Sequence, residues 1–302
     1  MPLLGEVESG PVAQTAVQVE RILCPLDFSE VSAKAYRHAQ SIACHYRAKL
    51  IVQHVVELWR HPEGDFATKP EYFDEFRDAL ISKARGKLEQ LFESCGGIQP
   101  ECVVEESTAP DAILAVAKAR GVNLIVMGTH GRRGLDHLML GSVTERVLRH
   151  APCPVLAVPG PDAGQCGDPV EVRRILCCVD FSTPSRRALE YALSVAAAYD
   201  ADLTLLHVLG TAESEDLGRE LNASLDKLRH WVAPSAFPEA GLHLEVRLGK
   251  AYREILNFAA EKRSDLIVTG VRGHNSLDLA VFGSTTYRVI QLYSSPVLTV
   301  TI

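Results

Sequence analysis

The chain has 302 residues, 47% of them hydrophobic and 23% charged, with a formal net charge of −7 at pH 7. This length suggests about two domains, each large enough for its own core. The negative charge, without any basic run, argues against a nucleic-acid partner held by general electrostatics. The longest apolar stretches fall short of the roughly 20 residues that span a bilayer, and the N-terminus lacks a signal-peptide pattern. We therefore expect a cytoplasmic protein without a membrane span.

Strands and helices alternate along the first half of the chain. Short apolar runs rich in β-branched residues predict buried strands, and apolar residues at helical spacing predict amphipathic helices. Ser29 follows the first strand and is a candidate N-cap for the first helix. The predicted strands cover residues 20–27, 50–56, 102–105, 123–128 and 154–158, and the predicted helices cover residues 30–46, 72–94, 110–120 and 143–150.

The second half of the chain repeats this order. The segment from Arg174 to Ser182 repeats Arg21 to Ser29 at an offset of 153 residues, and from the glycine-rich segment onward the offset is 142. A repeat of this length indicates a duplicated domain rather than a short solenoid unit. We predict domains at residues 20–158 and 172–302, joined by a linker at 159–171 that is rich in glycine, proline and aspartate.

A glycine-rich segment follows the fourth strand of each half. The first copy is Gly128-Thr-His-Gly131, nine residues, then Gly141-Ser142, and the second is Gly270-Val-Arg-Gly273, nine residues, then Gly283-Ser284. Glycine lets a backbone approach a ligand closely, and a helix N-terminus favours an anion. One such segment is weak support, but a fixed spacing found twice predicts a phosphate cradle in each half.

The order of elements predicts where these segments lie. Alternating strands and helices favour a parallel sheet covered by helices on both faces, and ligands of such sheets bind at the carboxyl ends of the strands. The residues at the ends of strands one, two and four are Asp27, Val55 and Gly128 in the first half and Asp180, Val208 and Gly270 in the second. We therefore expect one ligand crevice in each half.

Other kinds of site have less support. The glycine segment lacks the Gly-Lys-Ser/Thr of a Walker A loop, and no catalytic Ser-His-Asp order, His-Glu-x-x-His motif or carboxylate pair recurs in both halves. His54 and His207 are expected to pack beside apolar neighbours. The eight cysteines include no Cys-x-x-Cys pair, which favours buried free thiols over a disulfide or metal framework. Cys153, between two prolines, is expected to be the exposed exception.

Both halves resemble universal stress protein domains. The resemblance covers about residues 20–158 and 172–302 and rests on the Gly-x2-Gly-x9-Gly-Ser/Thr spacing, the Pro-x-Asp-x-Ser region of strand one and the His-Val of strand two. It implies an α/β fold of two tandem doubly wound domains, each a five-stranded parallel sheet flanked by helices, of the adenine nucleotide alpha hydrolase-like type. It also implies ATP across the strand ends, with or without Mg²⁺.

The resemblance assigns site residues by position. In the first half, Asp27 and Val55 would hold the adenine side, and the ribose and phosphates would contact Gly128, Gly131, Gly141, Ser142 and Val143. The matching positions in the second half are Asp180, Val208, Gly270, Gly273, Gly283, Ser284 and Thr285. A carboxylate can accept a hydrogen bond from the exocyclic amine of adenine, and a backbone group of strand two can pair with the adenine edge.

The two halves differ beside the predicted crevices. The first glycine segment continues with Arg132 and Arg133, which either pair with phosphates or lie on a solvated loop, whereas the second continues with His274 and Asn275. The first half is therefore expected to bind ATP, and the second to bind it more weakly or to prefer a less charged nucleotide.

Two functions fit this sequence. The first is an ATP-binding stress-response protein whose nucleotide occupancy alters its conformation or partners. The alternative is a slow ATPase or nucleotide phosphotransferase that uses the same crevice, for which the sequence supplies no identifiable metal or water-orienting group. Single-domain members of the family commonly dimerise through the last strand. The segments 155–158 and 297–300 are therefore expected to pair within one chain as an intrachain pseudo-dimer, and a homodimer of whole chains is implied as well.

Overall fold

A computed structural model of the chain describes residues 17–58, 70–95, 98–130, 140–160, 170–210, 216–232, 238, 241–271 and 283–301. The chain divides into two compact units. The first domain is the unit built from the described residues of 19–153 and 160–170, and the second domain is built from those of 1–18, 154–159 and 171–302. The second domain thus takes up the last predicted strand of the first half.

Strands and helices alternate through the described part of the first domain. They are β1 (Arg21–Pro25), α1 (Glu30–Tyr46), β2 (Lys49–Val56), α2 (Pro70–Cys95), β3 (Glu101–Glu106), α3 (Ala109–Ala119), β4 (Leu124–Gly128) and α4 (Ser142–His150). The strands are parallel in the order β3-β2-β1-β4. The helices α1 and α3 both contact this sheet, and α3 also packs against α4.

The second domain repeats this arrangement. Its elements are β5 (Val155–Val158), β6 (Arg174–Cys178), α5 (Thr183–Tyr199), β7 (Asp202–Leu209), α6 (Leu217–Trp231), β8 (Leu242–Leu248), α7 (Ala251–Lys262), β9 (Leu266–Gly270), α8 (Ser284–Leu292) and β10 (Val297–Val300). Five strands are parallel in the order β10-β9-β6-β7-β8. The strand β5 adds to this sheet in the antiparallel direction, beside β10.

The pairing of β5 with β10 confirms the expectation that these two strands pair within one chain. Val297 lies opposite Ala157 and Thr299 lies opposite Val155. The buried Thr299 hydroxyl also donates to the Val155 carbonyl at 3.1 Å. An antiparallel partner covers the edge that β10 would otherwise present to solvent.

The strand sequences explain why the sheets are buried. Ile22, Leu23 and Ile125 have no exposed surface, because β1 and β4 are covered on both faces. Ser29 caps α1 as predicted, since its hydroxyl oxygen accepts from the Ser32 amide at 3.2 Å. The alternation predicted from periodicity therefore corresponds to real strands and helices. The carboxyl ends of the strands and the N-termini of the helices that follow them lie at one edge of each sheet.

Candidate functional site

The strand order places a topological switch point between β1 and β4. From β1 the chain passes to β2 and β3 on one side, and then to β4 on the other side. In open α/β sheets, ligands bind outside the carboxyl ends of the strands at such a point. Asp27 follows β1 and Gly128 ends β4, so the structure brings these two predicted residues to one opening. In the same way, Asp180 follows β6 and Gly270 ends β9.

The turn between β1 and α1 fixes the orientation of Asp27. The Oδ1 atom of Asp27 accepts hydrogen bonds from the Ser29 amide at 3.0 Å and from the Ser29 hydroxyl at 2.6 Å. Phe28, between them, has a positive φ of 63°, which a bulky side chain rarely adopts. The carboxylate is held at the end of the strand by the same serine that begins the helix.

The second domain builds the same turn around Asp180. Its Oδ1 atom accepts from the amide and the hydroxyl of Ser182, and Phe181 has a φ of 62°. Partial desolvation raises the pKa of Asp180, but hydrogen bonds from Ser182 and Ser185 outweigh this effect and hold the pKa below its ordinary value. Asp180 is therefore ionised at neutral pH, and a carboxylate can accept a hydrogen bond from a ligand amine.

A histidine joins strand two to this turn in the first domain. His54 Nδ1 donates to the Leu26 carbonyl at 2.6 Å, and the Leu26 amide donates to the Gln53 carbonyl at 2.8 Å. These bonds place the half-buried Val55 beside the turn that holds Asp27. The histidine thus has a defined hydrogen bond as well as the packing role expected from the sequence.

The corresponding histidine of the second domain makes the same bond. His207 Nδ1 donates to the Val179 carbonyl at 2.7 Å, next to the half-buried Val208. The Phe181 ring packs against the His207 ring at a centroid distance of 4.6 Å, and Lys227 Nζ lies 4.5 Å from the centre of the Phe181 ring. A cation at this distance is attracted by the face of the ring.

The phenylalanine of the turn is a residue that sequence reasoning missed. In the first domain, Phe28 packs against His54 at 4.5 Å, and Lys87 Nζ of α2 lies 5.2 Å from the Phe28 ring. The available signal was the Asp-Phe-Ser triplet, which occurs in both halves. The contacts with histidine and lysine join residues distant in sequence, so the triplet alone could not indicate them.

The glycines that end β4 and β9 are required by the packing of the chain itself. A Cβ atom on Gly128 would lie 2.9 Å from Val31 Cγ1 in the first turn of α1. A Cβ atom on Gly270 would lie 2.6 Å from the Ser185 amide nitrogen and closer still to the Pro184 carbonyl group. The sequence suggested that these glycines allow a ligand to approach. The structure gives them a packing role, and their ligand role stays a prediction.

The Gly-Ser pair of the first domain begins α4. Gly141 is the N-cap residue and, as a glycine, supplies no side-chain cap. Ser142 is exposed and Val143 is half-buried in the first turn. The Thr144 hydroxyl donates to the Gly128 carbonyl at 2.8 Å, which joins the start of α4 to the end of β4. The helix N-terminus therefore lies at the switch point, where its amides and dipole favour an anion.

The Gly-Ser pair of the second domain begins α8 in the same manner. Gly283 is the N-cap residue and again supplies no side-chain cap. Ser284 is exposed, Thr285 is half-buried, and Thr286, the counterpart of the threonine that binds β4 in the first domain, is buried. Both domains therefore combine an oriented aspartate with a helix N-terminus that begins at Gly-Ser.

Three predicted site residues, Gly131, Arg132 and Gly273, lie outside the described residues. The predicted differences between the two glycine segments, at residues 132–133 and 274–275, lie outside them as well. Their roles stay predictions.

The exposed cysteine was predicted wrongly. Cys153 is only 6% exposed, because the turn that contains it leads directly into the buried β5 strand. Burial raises the pKa of the Cys153 thiol to about 12, despite a hydrogen bond with the Ile125 backbone. Cys24 and Cys177 are buried free thiols as expected, whereas Cys44 is exposed on α1.

No group of three or more histidine, cysteine, aspartate or glutamate side chains among the described residues is arranged to hold a metal ion. In the same part of the chain, every helix is too short or too polar to cross a bilayer.

The fold and the site together define a class of protein. Its members have two doubly wound α/β domains that arose by duplication, and each parallel sheet has an opening at its switch point, where ligands of such sheets bind. Comparison with known families identifies which one. The chain belongs to the universal stress protein family, whose family description matches residues 18–159 and 171–301. The resemblance found in the sequence is therefore confirmed.

Individual relatives match either the whole chain or one half. A universal stress protein of Mycolicibacterium smegmatis is 26% identical over 293 residues, which cover 92% of this chain and 96% of that protein. Universal stress protein YxiE of Bacillus subtilis is 33% identical over 144 residues, 46% of this chain and 97% of that protein. The crystal structure of a universal stress protein from Archaeoglobus fulgidus has a TM-score of 0.69 at 23% identity and covers 94% of this chain and 99% of that one. The predicted fold class is confirmed by this likeness.

Proposed function

We propose that this universal stress protein binds an adenine nucleotide at the switch point of each domain, and that nucleotide occupancy regulates it in a stress response. The proposal rests on one arrangement of functional groups that occurs in both domains. In each domain an oriented aspartate follows the first strand, and a helix begins with Gly-Ser after the fourth strand. An acceptor for an amine and donors for phosphates thus lie at the same edge of each sheet.

The proposed roles follow from the chemistry of each group in the first domain. Asp27 accepts from the exocyclic amine of adenine, and the backbone at Val55 pairs with the adenine edge. The amides and hydroxyl of Gly141 and Ser142 donate to phosphate oxygens. Arg132, on the glycine segment, adds positive charge beside the phosphates. We propose ATP as the nucleotide, with or without Mg²⁺.

The same roles apply to the second domain with one difference. Asp180, Val208 and Ser284 match the first domain by position, but the arginine after the glycine segment is replaced by His274. We propose weaker ATP binding there, or a preference for a less charged nucleotide, because one phosphate partner is missing.

A slow ATPase or nucleotide phosphotransferase is the competing function. Either reaction needs a group that orients the attacking water or acceptor, together with a positioned metal. Incubation of the pure protein with Mg-ATP distinguishes the two functions. Bound ATP that stays intact for hours supports the binding protein, and stoichiometric release of ADP supports the enzyme.

The decisive experiment counts the nucleotide that copurifies with the protein. The protein is denatured without added nucleotide, and the released material is identified by chromatography and expressed per chain. Two ATP per chain support both sites, and one supports the first domain alone. No nucleotide, together with no uptake of added ATP, contradicts the proposal.

Variants assign the counted nucleotide to a site. Asp27→Ala removes a charged acceptor, and Gly141→Val places a side chain at the helix N-cap. Each is expected to weaken ATP binding in the first domain by about tenfold to a hundredfold. Asp78→Ala is the matched control, because it removes an exposed carboxylate on α2 that forms an ion pair with its neighbour Arg77. Equal affinity in Asp27→Ala and Asp78→Ala contradicts the assigned role.

The remaining expectations are proposals of the same kind. We propose that the domain limits at 20–158 and 172–302 describe the two folding repeats, and that whole chains form a homodimer. Analytical ultracentrifugation tests the homodimer directly. We also propose a cytoplasmic location and the lack of a nucleic-acid partner, the second of which agrees with the net charge of −7.

A further inference from the structure

The helix after the third strand can be compared position by position between the two domains. In front of α3, the Ser107 amide donates to the Val56 carbonyl at 3.3 Å, and in front of α7 the Gly249 amide donates to the Leu209 carbonyl at 2.9 Å. These four residues match at the two repeat offsets of 142 and 153. The first turns of α3 and α7 are therefore equivalent, and differences between their side chains are meaningful.

In the first domain, acidic side chains of the same domain occupy this helix N-terminus. Glu57 Oε1 accepts from the Ala109 amide at 2.9 Å. Asp111 accepts from the Thr108 hydroxyl at 2.6 Å and forms an ion pair with Arg146 at 2.7 Å. Carboxylates therefore accept from the free helix amide, offset the positive end of the helix dipole and neutralise the nearby arginine.

In the second domain these carboxylates are replaced. Gly210 stands at the position of the glutamate, and a Cβ atom there would meet no atom of the described residues within 4 Å. Arg253 stands at the position of the aspartate and Lys250 at that of the threonine, while the arginine of the fourth helix is retained as Arg288. The side chain of Lys250, the N-cap residue of α7, makes no cap hydrogen bond. The first turn of α7 has therefore lost two carboxylates relative to α3 and gained two basic residues.

Both arginines converge on one tyrosine. Arg253 Nε donates to the Tyr252 hydroxyl at 3.0 Å, and the guanidinium carbon of Arg288 lies 4.6 Å from the centre of the Tyr252 ring. Within the described residues, neither arginine forms an ion pair with a carboxylate. The hydrogen bond from Arg253, with the charges of both arginines, lowers the pKa of Tyr252 from its ordinary value. Two exposed guanidinium groups held together in this way attract an anion.

One acid, Glu254, lies in the first turn of α7. Its carboxylate lies against Gly249, where a Cβ atom on the glycine would be 3.1 Å from Glu254 Oε1. It therefore packs against the preceding loop and does not cap the helix. Its charge reduces the attraction for an anion without occupying the place of the missing glutamate.

We propose that the second domain carries an oxyanion site for phosphoryl groups at the N-terminus of α7, formed by Arg253, Arg288 and the Tyr252 hydroxyl. The planar guanidinium groups match the oxygens of a phosphate, and the helix N-terminus adds a favourable dipole. The ligand takes the place that Glu57 fills in the first domain. This site follows β8 at the edge of the sheet, whereas the proposed nucleotide site lies at the ends of β6, β7 and β9.

The test is a titration of the full chain with inorganic phosphate at constant ionic strength, followed by calorimetry. Gly210→Glu and Arg253→Asp each introduce the residue of the first domain, and each is expected to weaken phosphate binding by about tenfold or more. Glu254→Gln is expected to strengthen it. Arg219→Asp, which makes the same charge change on α6, is the matched control and is expected to have little effect. Melting temperatures verify that each variant is folded.

A second readout follows the tyrosine itself. Bound phosphate partly neutralises the arginines, so it is expected to raise the pKa of Tyr252 toward its ordinary value in an ultraviolet titration. The signal is assigned with Tyr252→Phe, which should lack this transition. Acetate serves as the comparison anion, and equal binding of acetate overturns the choice of phosphoryl groups.

Three outcomes overturn the proposal. One is unchanged phosphate affinity in both Gly210→Glu and Arg253→Asp. Another is an equal loss in Arg219→Asp, which would indicate general electrostatics. The third is complete displacement of phosphate by ATP with no sensitivity to Arg253→Asp, which would place the phosphate in the nucleotide site. Failure of ATP to bind at all contradicts the proposed function but leaves this test intact.

Discussion

The glycine that ends β9 gives the sharpest test of how these domains are held together. In Gly270→Ala, the new methyl group would meet backbone atoms at the start of α5, namely the Ser185 amide nitrogen at 2.6 Å and the Pro184 carbonyl group closer still. Backbone atoms in a helix cannot rotate aside as a side chain can, so α5 must shift away from the sheet. Overpacking of this severity costs about 3 kcal/mol of unfolding free energy.

The equivalent change in the first domain should cost less. In Gly128→Ala, the nearest atom is Val31 Cγ1 at 2.9 Å, and the nearest backbone atoms lie at 3.3 Å. A methyl group at the end of a side chain can yield by a small movement, so we expect a loss of about 1–2 kcal/mol. The two domains should therefore respond differently to the same substitution, in the order set by these distances.

Tryptophan fluorescence reports the stability of the second domain. The chain contains Trp59 and Trp231, and the Trp231 ring packs edge-on against Phe181 at 5.1 Å. In a Trp59→Phe background, urea unfolding monitors Trp231 alone. With an m-value of about 2 kcal/mol/M, Gly270→Ala should lower the midpoint by about 1.5 M.

The matched control is Gly218→Ala in the first turn of α6, where an added Cβ atom would meet nothing within 4 Å. This change should leave the midpoint unchanged or raise it slightly, because alanine favours the helix. An unchanged midpoint in Gly270→Ala would refute the packing argument. A loss of stability that occurs only in nucleotide-loaded protein would show that the ligand, rather than α5, requires the glycine.

Three further predictions concern single side chains. Ser182→Ala removes a donor to Asp180 and the N-cap of α5, and should cost about 1 kcal/mol at neutral pH. A carboxyl group whose folded pKa is lowered contributes stability above its unfolded pKa and loses it as pH falls through the folded pKa. The difference in urea midpoint between wild type and variant should therefore shrink in acid, and a constant difference would contradict this. Iodoacetamide should label the exposed Cys44 at least about tenfold faster than Cys153, whose thiol is buried with a pKa of about 12, as measured by mass spectrometry; equal rates would contradict the burial. Thr299→Val should cost about 1–2 kcal/mol in urea unfolding, because it removes the hydroxyl that donates to the β5 carbonyl, and a wild-type midpoint would show that this bond contributes nothing.

Much of the fold could be predicted because its signals are local. Strands such as residues 124–128 are short, apolar and closed by glycine, and Ser29 marks the start of a helix by its own hydrogen-bonding chemistry. The duplication doubled every signal, so a weak pattern in one half was supported by its copy. The convergence of Asp27 and Gly128 followed from the strand order that such an alternation imposes.

The features that were missed depend on contacts between distant residues. Phe28, which has a positive φ, packs against His54 and Lys87, and both of these residues lie on other elements. The burial of Cys153 depends on the pairing of the strand that follows it, and the two flanking prolines do not indicate this pairing. The glycine at position 270 was assigned to a ligand because its clash with Pro184 exists only once α5 is folded against β9.

The duplication also distinguishes the structural features that both domains share from the residues that can set their ligand affinity. Both domains keep the aspartate turn, the histidine bond and the helix that begins with Gly-Ser, so a difference in ligand affinity must come from residues outside this framework. The strand β7 links the two proposed sites of the second domain, since Val208, assigned to adenine, and Gly210, beside the phosphoryl site, are two residues apart. If phosphate at α7 shifts the end of β7, it must change ATP affinity, and ATP must change phosphate affinity by the same factor. The first domain, where Glu57 fills the equivalent position, should show no such coupling.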